Sequence, residues 1–409
     1  MRVLGITPAV KEERTLSFKD LSVYCKRAVN LSPNATQTEK PFCHKRLTTI
    51  SRKPVKLYDT DYGKVVYCAD KKLYSLVDGK LMELCTLTFE SLPEVFSIRT
   101  NGKTSLCAVE NSSGVIVGDV LSFVNFPKGR GYTIKDGVLF CYKGDKIVFG
   151  DRYEYSGYNV SVSEKGFIGV ENTGDILRLF SDGKKIIAVC ERGIANLYPD
   201  GFYNDYRLEY STVRLDLKNG DDVKLISDTL YFFKDGGLYS VKNDTIKRLN
   251  TVLDNAEYNG AGNAFTMGDS YFLPVLDGEN KYIFVYDTVT DSSYFISADA
   301  DCYSDGGYYA VTDGYAVGKL ELASADSYEW QSVNTDFGSD AEKTLYKISI
   351  KTLSPLTLTV KGDYGTRLIK VDGGYKSVRL NLKSREFSFK LNGDVKPFGV
   401  EYMKIYYRI

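Results

Sequence analysis

The chain has 409 residues, of which 43% are hydrophobic and 26% charged, and its formal net charge is zero. These values are ordinary for a soluble globular protein, and the length could hold two or three domains. No stretch approaches the roughly 20 apolar residues that would span a bilayer, which excludes a membrane-spanning helix. The first apolar stretch is interrupted by Pro8 and is too short for a secretory signal, so we expect a protein made in the cytoplasm.

The charges are unevenly distributed. Residues 1–60 hold twelve Lys and Arg against five Asp and Glu, and residues 328–409 hold fourteen against nine. The middle, residues 61–327, has 27 basic and 39 acidic residues. An acidic middle repels nucleic acid at long range, whereas the basic ends could meet an acidic partner. We expect no specific nucleic-acid partner, although ordinary solvated surfaces would also explain these charges.

The aromatic content favours strands and turns over helices. Thirty-two Tyr, twenty-one Phe and thirty-six Gly accompany only four Met. Tyr and Phe suit a pleated, half-buried surface, and Gly supplies the positive φ angles of tight turns.

Five of the eight cysteines lie in apolar, strand-like runs, where a free Cys behaves as a small core hydrophobe. These five are Cys68, Cys85, Cys107, Cys141 and Cys190. The cysteine spacings match no zinc motif, and the sole histidine, His44, lacks a second imidazole. We predict reduced structural thiols and no metal or other cofactor.

Residues 1–55 have the character of an irregular lead-in or arm, with a polar, proline-interrupted loop at 30–42. From residue 56 a unit recurs in which a short apolar strand, a glycine-containing turn and a second short strand follow one another. Examples are KLYSLVDGKLMEL at 72–84, GVLFCYKGDKIVFG at 137–150 and TLYFFKDGGLYSV at 229–241. Asp-Gly and Gly-Asp turns tolerate the left-handed angles that tight β-hairpins require.

The turn glycines recur at intervals of 27 to 42 residues from Gly79 to Gly314. Regular propeller repeats run about 40–45 residues per four-stranded blade, so some hairpins here could be half a blade. A β-helix would have shorter and more uniform rungs. The pattern predicts an all-β fold, with an irregular β-propeller of about seven blades over residues 56–326.

The pattern changes near residue 327. Five or six alternating strands follow in about 80 residues, and in one of them Val378, Leu380 and Leu382 fall on a single face. This density of strands predicts a small C-terminal β-sandwich-like domain over residues 327–409.

No motif for a nucleophile, a metal or a nucleotide stands out. His44 could pair only with Cys43, its sequence neighbour, whose side chain would point to the opposite face of a strand. The Asp-rich segments 287–293 and 298–307 lack EF-hand spacing, and no Gly-Lys dipeptide belongs to a phosphate-binding loop. We predict no catalytic, metal or cofactor site.

Acidic residues could still support glycoside hydrolysis. Glu191, Asp200, Asp205 and Glu209 surround a Tyr-rich segment. The reaction needs two carboxyl groups about 5–10 Å apart, which a sequence cannot show. Loops and strand edges ordinarily carry the same residues.

Tyrosines clustered with Gly, Asn, Asp and Ser form the candidate interaction surface. The candidates are Tyr198, Tyr203, Tyr206, Tyr210, Tyr303 and Tyr308. Rigid amphipathic Tyr with small polar neighbours is frequent in protein-contact surfaces. The same composition could stack on sugar rings, and tyrosines that fill seams between blades would be equally consistent.

Two parts of the sequence carry a family resemblance. The lead-in contains FKDLSVYCKRAVNLSP at 18–33 and KRLTTISRKP at 45–54. The last strands contain YKISIKTLSPLTLTVKGDYG at 346–365, KSVRLNLKSREFSFKLNG at 376–393 and FGVEYMKIYYRI at 398–409. With a propeller between them, these segments resemble virion propeller proteins of tailed bacteriophages and prophages, of the head-closure, tail-hub or packaged-DNA stabilisation type. The resemblance implies a structural role at a head–tail junction or tail, with no catalytic residues.

The sequence therefore predicts a non-enzymatic structural protein that acts by protein–protein contacts. Its expected partners are other virion proteins or further copies of itself in a ring. One alternative is a carbohydrate-binding adhesin that binds a host-surface glycan through the tyrosines. A third is a divergent glycoside hydrolase.

Overall fold

The computed structural model describes residues 13–17, 25–29, 32–33, 38–39, 41–78, 80–100, 102–151, 160–199, 205–249, 251–255, 259–260, 263–323, 327–393 and 400–408. Within these residues the regular structure is almost entirely β, with two short 3-10 helices at Val252–Asn255 and Asp305–Gly307. The first five strands are β1 (Glu13–Ser17), β2 (Cys25–Val29), β3 (Ser32–Pro33), β4 (Thr38–Glu39) and β5 (Phe42–Thr49). No helix among the described residues is long and apolar enough to cross a membrane.

Seven antiparallel sheets follow one another along the chain as blades of a propeller. Blade 1 contains β6 (Pro54–Thr60), β7 (Gly63–Cys68), β8 (Lys72–Val77) and β9 (Lys80–Thr86). Blade 2 contains β10 (Glu94–Thr100), β11 (Lys103–Glu110), β12 (Ser113–Val117) and β13 (Leu121–Asn125). Blade 3 contains β14 (Arg130–Lys135), β15 (Val138–Lys143), β16 (Lys146–Gly150) and β17 (Glu164–Gly169). Blade 4 contains β18 (Ile176–Ser181), β19 (Ile186–Cys190), β20 (Ile194–Pro199) and β21 (Tyr206–Tyr210).

The remaining blades are less regular. Blade 5 contains β22 (Lys224–Ile226), β23 (Thr229–Lys234), β24 (Gly237–Lys242) and β25 (Thr245–Arg248). Blade 6 contains β26 (Asn259–Gly260), β27 (Phe265–Met267), β28 (Ser270–Asp277), β29 (Asn280–Asp287) and β30 (Ser292–Ser297). Blade 7 contains β31 (Cys302–Ser304), β32 (Tyr308–Val311), β33 (Ala316–Leu322) and, as its outer strand, β5. The predicted all-β propeller of about seven blades is confirmed.

The turn chemistry explains why these sequences form hairpins. In blade 3, Lys135 pairs with Val138 across a two-residue turn formed by Asp136 (φ 50°) and Gly137 (φ 78°). Positive φ at both central residues is the geometry of a type I′ turn, whose twist matches that of the strands it joins. The Asp235–Gly236 turn of blade 5 has the same signs of φ.

Apolar side chains fill the seams between neighbouring blades. Val65 of blade 1 and Leu106 of blade 2 belong to one buried cluster, and Val189 of blade 4 and Phe232 of blade 5 belong to another. The five cysteines of the apolar runs are buried and free, as predicted. Burial raises the pKa of the Cys190 thiol to about 11, so this thiol stays protonated and unreactive near neutral pH.

The strand β5 closes the ring, because it lies before blade 1 in the sequence but pairs with β33 of blade 7. The strand β2 has a second joining role. It pairs in parallel with β30 of blade 6 and antiparallel with β34 (Tyr328–Ser332), so the sheet of blade 6 continues into the C-terminal strands. The predicted boundaries at residues 55 and 326 stay predictions.

The other C-terminal strands are β35 (Lys343–Thr352), β36 (Leu356–Gly362), β37 (Gly365–Val371), β38 (Gly374–Ser384), β39 (Phe387–Gly393) and β40 (Val400–Arg408). One sheet has the order β1-β40-β35-β38, and the other runs through β34, β39, β36 and β37. Buried side chains of both sheets, among them Ile348, Ile405 and Phe389, belong to a single core that also includes Phe284 of blade 6. Apolar packing and a shared sheet therefore both join the C-terminal region to the propeller.

Candidate interaction surfaces

We call one side of the propeller its upper face. There the chain passes from each blade to the next, and the second and third strands of each blade are joined. A cavity of about 460 Å³ opens on this face, and loops of blades 2 to 5 line it. Its polar and charged lining residues are Asn111, Lys128, Arg130, Tyr142, Lys143, Asp175, Glu191, Lys218, Asn219 and Asp221. We call this cavity the upper basin.

Two glycines let the basin loops lie directly against neighbouring strands. A Cβ atom at Gly129 would stand 2.6 Å from the Sγ atom of Cys141, and one at Gly220 would stand 2.5 Å from the carbonyl oxygen of Leu177. The Tyr142 hydroxyl also donates a hydrogen bond of 2.7 Å to that carbonyl, which ties blade 3 to blade 4. The floor of the basin is thus formed by closely packed backbone.

The basin presents both signs of charge. Lys128, Arg130, Lys143 and Lys218 provide cations, while Asp175, Glu191 and Asp221 provide carboxylates. The Asp175 amide donates to Oε2 of Glu191 at 3.4 Å, so these two residues are neighbours at the wall of blade 4. A surface with mixed charges can select a partner by electrostatic complementarity.

Asp222 follows the basin residue Asp221 in the loop that leads to blade 5. Burial, together with the neighbouring Asp221 charge, raises the pKa of Asp222 to about 6. Its carbonyl oxygen accepts a hydrogen bond of 2.8 Å from the hydroxyl of Tyr271 in blade 6. This carboxylate is held in an environment that disfavours its charged form.

An ion pair crosses the inner side of the ring. The ammonium of Lys224 in blade 5 lies 3.0 Å from Oδ1 of Asp305 in blade 7, and Thr266 of blade 6 donates its amide to that carboxylate at 2.8 Å. Burial lowers the pKa of Lys224, although Asp305 opposes the shift. Burial also acts to raise the pKa of Asp305, but the Lys224 ammonium and the Thr266 amide outweigh it and hold this pKa below its usual range.

Glu94, at the start of the inner strand of blade 2, makes a similar connection. Its Oε2 atom accepts hydrogen bonds from the amides of Gly131 (2.8 Å) and Tyr132 (3.2 Å) in blade 3. Burial raises the pKa of Glu94, while these amides and the guanidinium of Arg178 oppose the shift. The inner strands thus carry charged groups that bridge blades.

The structure divides the predicted tyrosines between two blades that are not neighbours. Tyr198, Tyr206 and Tyr210 lie in the outer strands of blade 4, and Tyr303 and Tyr308 lie in blade 7. Tyr203 lies outside the described residues. None of the five described tyrosines lines the upper basin.

In blade 4 the tyrosine rings have different surroundings. The ring of Tyr206 packs against Phe140 and Phe149 of blade 3, at centroid distances of 5.6 and 5.2 Å. The guanidinium of Arg207 lies 5.3 Å from the ring of Tyr198. Tyr210 is exposed. Tyr206 therefore fills a seam between blades, which was one of the interpretations open from the sequence.

In blade 7 the tyrosines hold the closing strand. The Tyr303 hydroxyl lies 2.7 Å from Nε2 of His44 on β5, and its ring stacks on Phe265 at 5.2 Å. Tyr308 is buried, and the ammonium of Lys319 lies 4.9 Å from its ring. Burial lowers the pKa of His44, although Asp299 opposes the shift.

The predicted carboxylate candidates are also separated. Glu191 lines the upper basin, whereas Glu209 pairs with Arg207 at 3.2 Å on the outer strand of blade 4. Asp205 is exposed just before that strand, and Asp200 lies outside the described residues. Among the described residues, no group of three or more His, Cys, Asp or Glu is placed to hold a metal ion.

Sequence reasoning missed the basin as a unit. Its residues come from six loop or strand-end segments spread between 111 and 221. The signal that could have located some of them is the group of cations at blade-to-blade connections, such as Lys128 and Lys218. Their convergence depends on the ring geometry.

No protein-family model matches the sequence, and no curated protein matches it. Among solved structures, BamB from Moraxella catarrhalis is 12% identical, with 78% of this chain and 99% of that chain covered and a TM-score of 0.43. The Pan2 WD40 domain of Neurospora crassa is 9% identical, with 69% and 96% covered and a TM-score of 0.42. PorZ of Porphyromonas gingivalis, described as a surface component of the type-IX secretion system, is 13% identical, with 84% and 46% covered and a TM-score of 0.42. These similarities concern the fold alone.

Proposed function

We propose that this protein is a non-enzymatic structural scaffold that binds other proteins through the upper face of its propeller. The observation that carries the proposal is the upper basin, where loops of four blades place cations and carboxylates around one open cavity. A propeller offers such a surface on a rigid frame, since binding residues sit on loops that packed strands position.

We propose further that the scaffold is made in the cytoplasm and belongs to a tailed-bacteriophage or prophage virion. The support is the resemblance of the lead-in and of the last strands to virion propeller proteins. In the structure these segments contribute β2 and β5 before blade 1 and β35 to β40 after blade 7. The strands β1 and β40 pair with each other, so the segments before and after the propeller are joined to one another.

The test is binding to the products of the genes adjacent to its own. Isothermal titration calorimetry with each purified product should find at least one partner. The variant Lys143→Glu/Lys218→Glu reverses two basin charges and should weaken that binding about tenfold or more, because like charges across an interface are repulsive. Lys247→Glu/Lys281→Glu, two exposed propeller lysines outside the basin, makes the same change in net charge and should leave the affinity unchanged.

Absence of binding to every neighbouring product would contradict the virion role. Equal loss of affinity in both variants would mean that net charge, and not the basin, controls the contact. Either result can be obtained with folded protein, because all four lysines are on the surface or at the rim of the basin.

A glycoside hydrolase is the second candidate, because Asp175, Glu191 and Asp221 line the same cavity. Hydrolysis of a chromogenic glycoside that is lost in Glu191→Gln would support it. No turnover across a broad substrate panel would count against it. The glycan-binding alternative stays a prediction.

A further inference from the structure

The outer face of the sheet β1-β40-β35-β38 carries a cluster of cations on the side away from the core. Because side chains alternate along a strand, the buried Ile348, Ile350 and Ile405 mark the inner face. The cations on the opposite face are Lys347, Lys351, Arg379, Lys404 and Arg408. We call this surface the basic face.

Tyrosine rings lie among these cations. The ammonium groups of Lys347 and Lys404 lie 4.9 and 5.6 Å from the ring of Tyr406, and the Arg408 guanidinium lies 4.5 Å from the ring of Tyr346. Tyr375, at the edge of the same face, is 63% exposed. Hydrogen bonds from Ser349 and Ser377, with the Lys347 ammonium, lower the pKa of Tyr375.

The arrangement costs stability in the isolated chain. Lys347 stands directly opposite Arg379 in the pairing of β35 with β38. Like charges in directly opposed positions are destabilising. Ion pairs of the C-terminal strands join Lys383 to Glu342 and Lys390 to Glu329, and neither involves Lys347, Arg379 or Lys404. Lysines on edge strands commonly protect a sheet from aggregation, but β35 and β40 each pair on both sides and are not edges.

A complementary surface exists on the propeller. On its lower rim, opposite the upper face, consecutive blades 6, 7, 1 and 2 each expose an aliphatic side chain beside an acidic one. The pairs are Val289 with Asp291, Leu322 with Glu321, Val77 with Asp78, and Val120 with Asp119. Val120 is 75% exposed. Two of the carboxylates already have cation partners, Asp119 with Lys103 at 2.7 Å and Glu321 with Lys45 at 2.8 Å, but both ion pairs are exposed and therefore weak. We call these eight residues the acidic rim.

We propose that the basic face of one copy binds the acidic rim of a second copy, in a head-to-tail contact. Cations with aromatic rings on one surface meet carboxylates with aliphatic side chains on the other, so charge and apolar burial both match. The chain supplies both halves within a net charge of zero. A nucleic acid is a poorer occupant, since the acidic propeller repels it.

Head-to-tail contacts close into a ring or continue as a filament. The inference rests on the proposed structural function and names one contact by which the scaffold would assemble. It uses no residue of the upper basin, so the two proposals can fail separately.

Sedimentation velocity of the full chain, at increasing concentration in about 50 mM and about 500 mM NaCl, tests the contact. The wild type should associate in low salt and dissociate in high salt. Lys347→Glu/Lys404→Glu should remain monomeric where the wild type associates. Lys361→Glu/Lys370→Glu changes the net charge equally but lies on the other sheet of the same C-terminal region, and it should associate like the wild type.

A charge-swap experiment identifies the second surface. Asp119→Lys/Glu321→Lys should be monomeric alone, and so should Lys347→Glu/Lys404→Glu. Mixed together, they should associate in alternating order like the wild type, because the introduced glutamates complement the introduced lysines and the two unchanged surfaces form the wild-type contact. Lys347→Glu/Lys404→Glu should melt no lower than the wild type, because it removes the repulsion between Lys347 and Arg379. Asp119→Lys/Glu321→Lys should melt only slightly lower, because the ion pairs that it breaks with Lys103 and Lys45 are exposed.

A wild type that stays monomeric in low salt at about 100 µM would overturn the proposal, because such a contact would be too weak to assemble a scaffold. Association that the two control lysines weaken equally would also overturn it. So would a monomeric wild type that binds a labelled oligonucleotide through Lys347 and Lys404. None of these results would alter the test of partner binding at the upper basin.

Discussion

The Nζ atom of Lys224 lies 3.0 Å from both carboxylate oxygens of Asp305, although blade 6 stands between the two blades that carry them. A contact across a whole blade can be made only on the inner side of the ring. The two ends of the pair differ in environment, because 9% of the Lys224 side chain but 56% of the Asp305 side chain is exposed.

We predict that replacing Asp305 destabilises the protein more than replacing Lys224 does. Removing one partner of a buried pair costs about 3–5 kcal/mol when it leaves a buried charge. Asp305→Asn leaves the buried Lys224 ammonium without its carboxylate, and we expect a loss of about 2 kcal/mol after solvent screening. Lys224→Met leaves a half-exposed carboxylate and should cost less than about 1 kcal/mol. Melting temperatures of both variants test this prediction. Equal losses of stability in Asp305→Asn and Lys224→Met would contradict it.

The single histidine predicts a pH dependence at the closing strand. Burial lowers the pKa of His44, so the folded state binds a proton less readily than the unfolded chain. The neutral imidazole therefore favours folding above about pH 6.5, and stability is lost as the pH falls below that value. His44 gives the only histidine signal in a proton NMR titration, and its midpoint should lie below about 6.5.

The matched variant is His44→Gln, which keeps a side chain able to bond the Tyr303 hydroxyl without titrating. Its melting temperature should fall less than that of the wild type between pH 7 and pH 5. Parallel curves for the two proteins would show that His44 does not couple protonation to folding.

Asp222 predicts the opposite dependence of stability on pH, because here protonation favours the folded state. Its folded-state pKa of about 6 lies above the ordinary value of 3.8, so the ionised group opposes folding at pH 7. The rise corresponds to at most about 3 kcal/mol, and we expect about 1 kcal/mol because the carboxylate is partly exposed. Asp222→Asn should therefore raise the melting temperature at pH 7, with an advantage that shrinks as the pH falls from 6 toward 4. Asp221→Asn, which removes only the neighbouring charge, should give a smaller rise. A destabilised Asp222→Asn would contradict this account.

The repeated hairpins could be predicted from the sequence because each turn is encoded locally. Asp136 and Gly137 adopt the positive φ angles that their residue types favour, and the strands on either side follow. Ring closure could not be predicted in the same way. The strand β5 pairs with β33, which lies more than 250 residues later, and no local sequence pattern predicts that pairing.

The candidate surfaces show the same limit. The sequence predicts that Tyr206 belongs to a contact surface. In the structure its ring instead packs against Phe140 and Phe149 of the neighbouring blade. The basin residues Lys143 and Lys218 are ordinary loop lysines in the sequence, and only the ring places them around one cavity. Local residue types thus predicted the blades, whereas the surfaces depend on how the blades are arranged.

The closing strand offers a test of how the ring is held. Gly318 of β33 lies between the ring of Tyr309 and the backbone of β5. A Cβ atom there would overlap the Tyr309 ring and stand 2.6 Å from the carbonyl oxygen of Lys45. Gly318→Ala must therefore displace the closing strand or the Tyr309 ring, and overpacking of this kind typically costs about 1–3 kcal/mol.

Gly169→Ala is the matched control, because Gly169 also lies in an outer blade strand and a Cβ atom there meets nothing within 4 Å. We expect the control to melt within a degree or two of the wild type, since surface changes usually stay within about 0.5 kcal/mol. Gly318→Ala should melt earlier and lose hydrogen-exchange protection first in β5, because an opened ring frees that strand before any blade unfolds. If protection were instead lost evenly across all blades, the contact between β5 and β33 would not be the point at which the propeller opens.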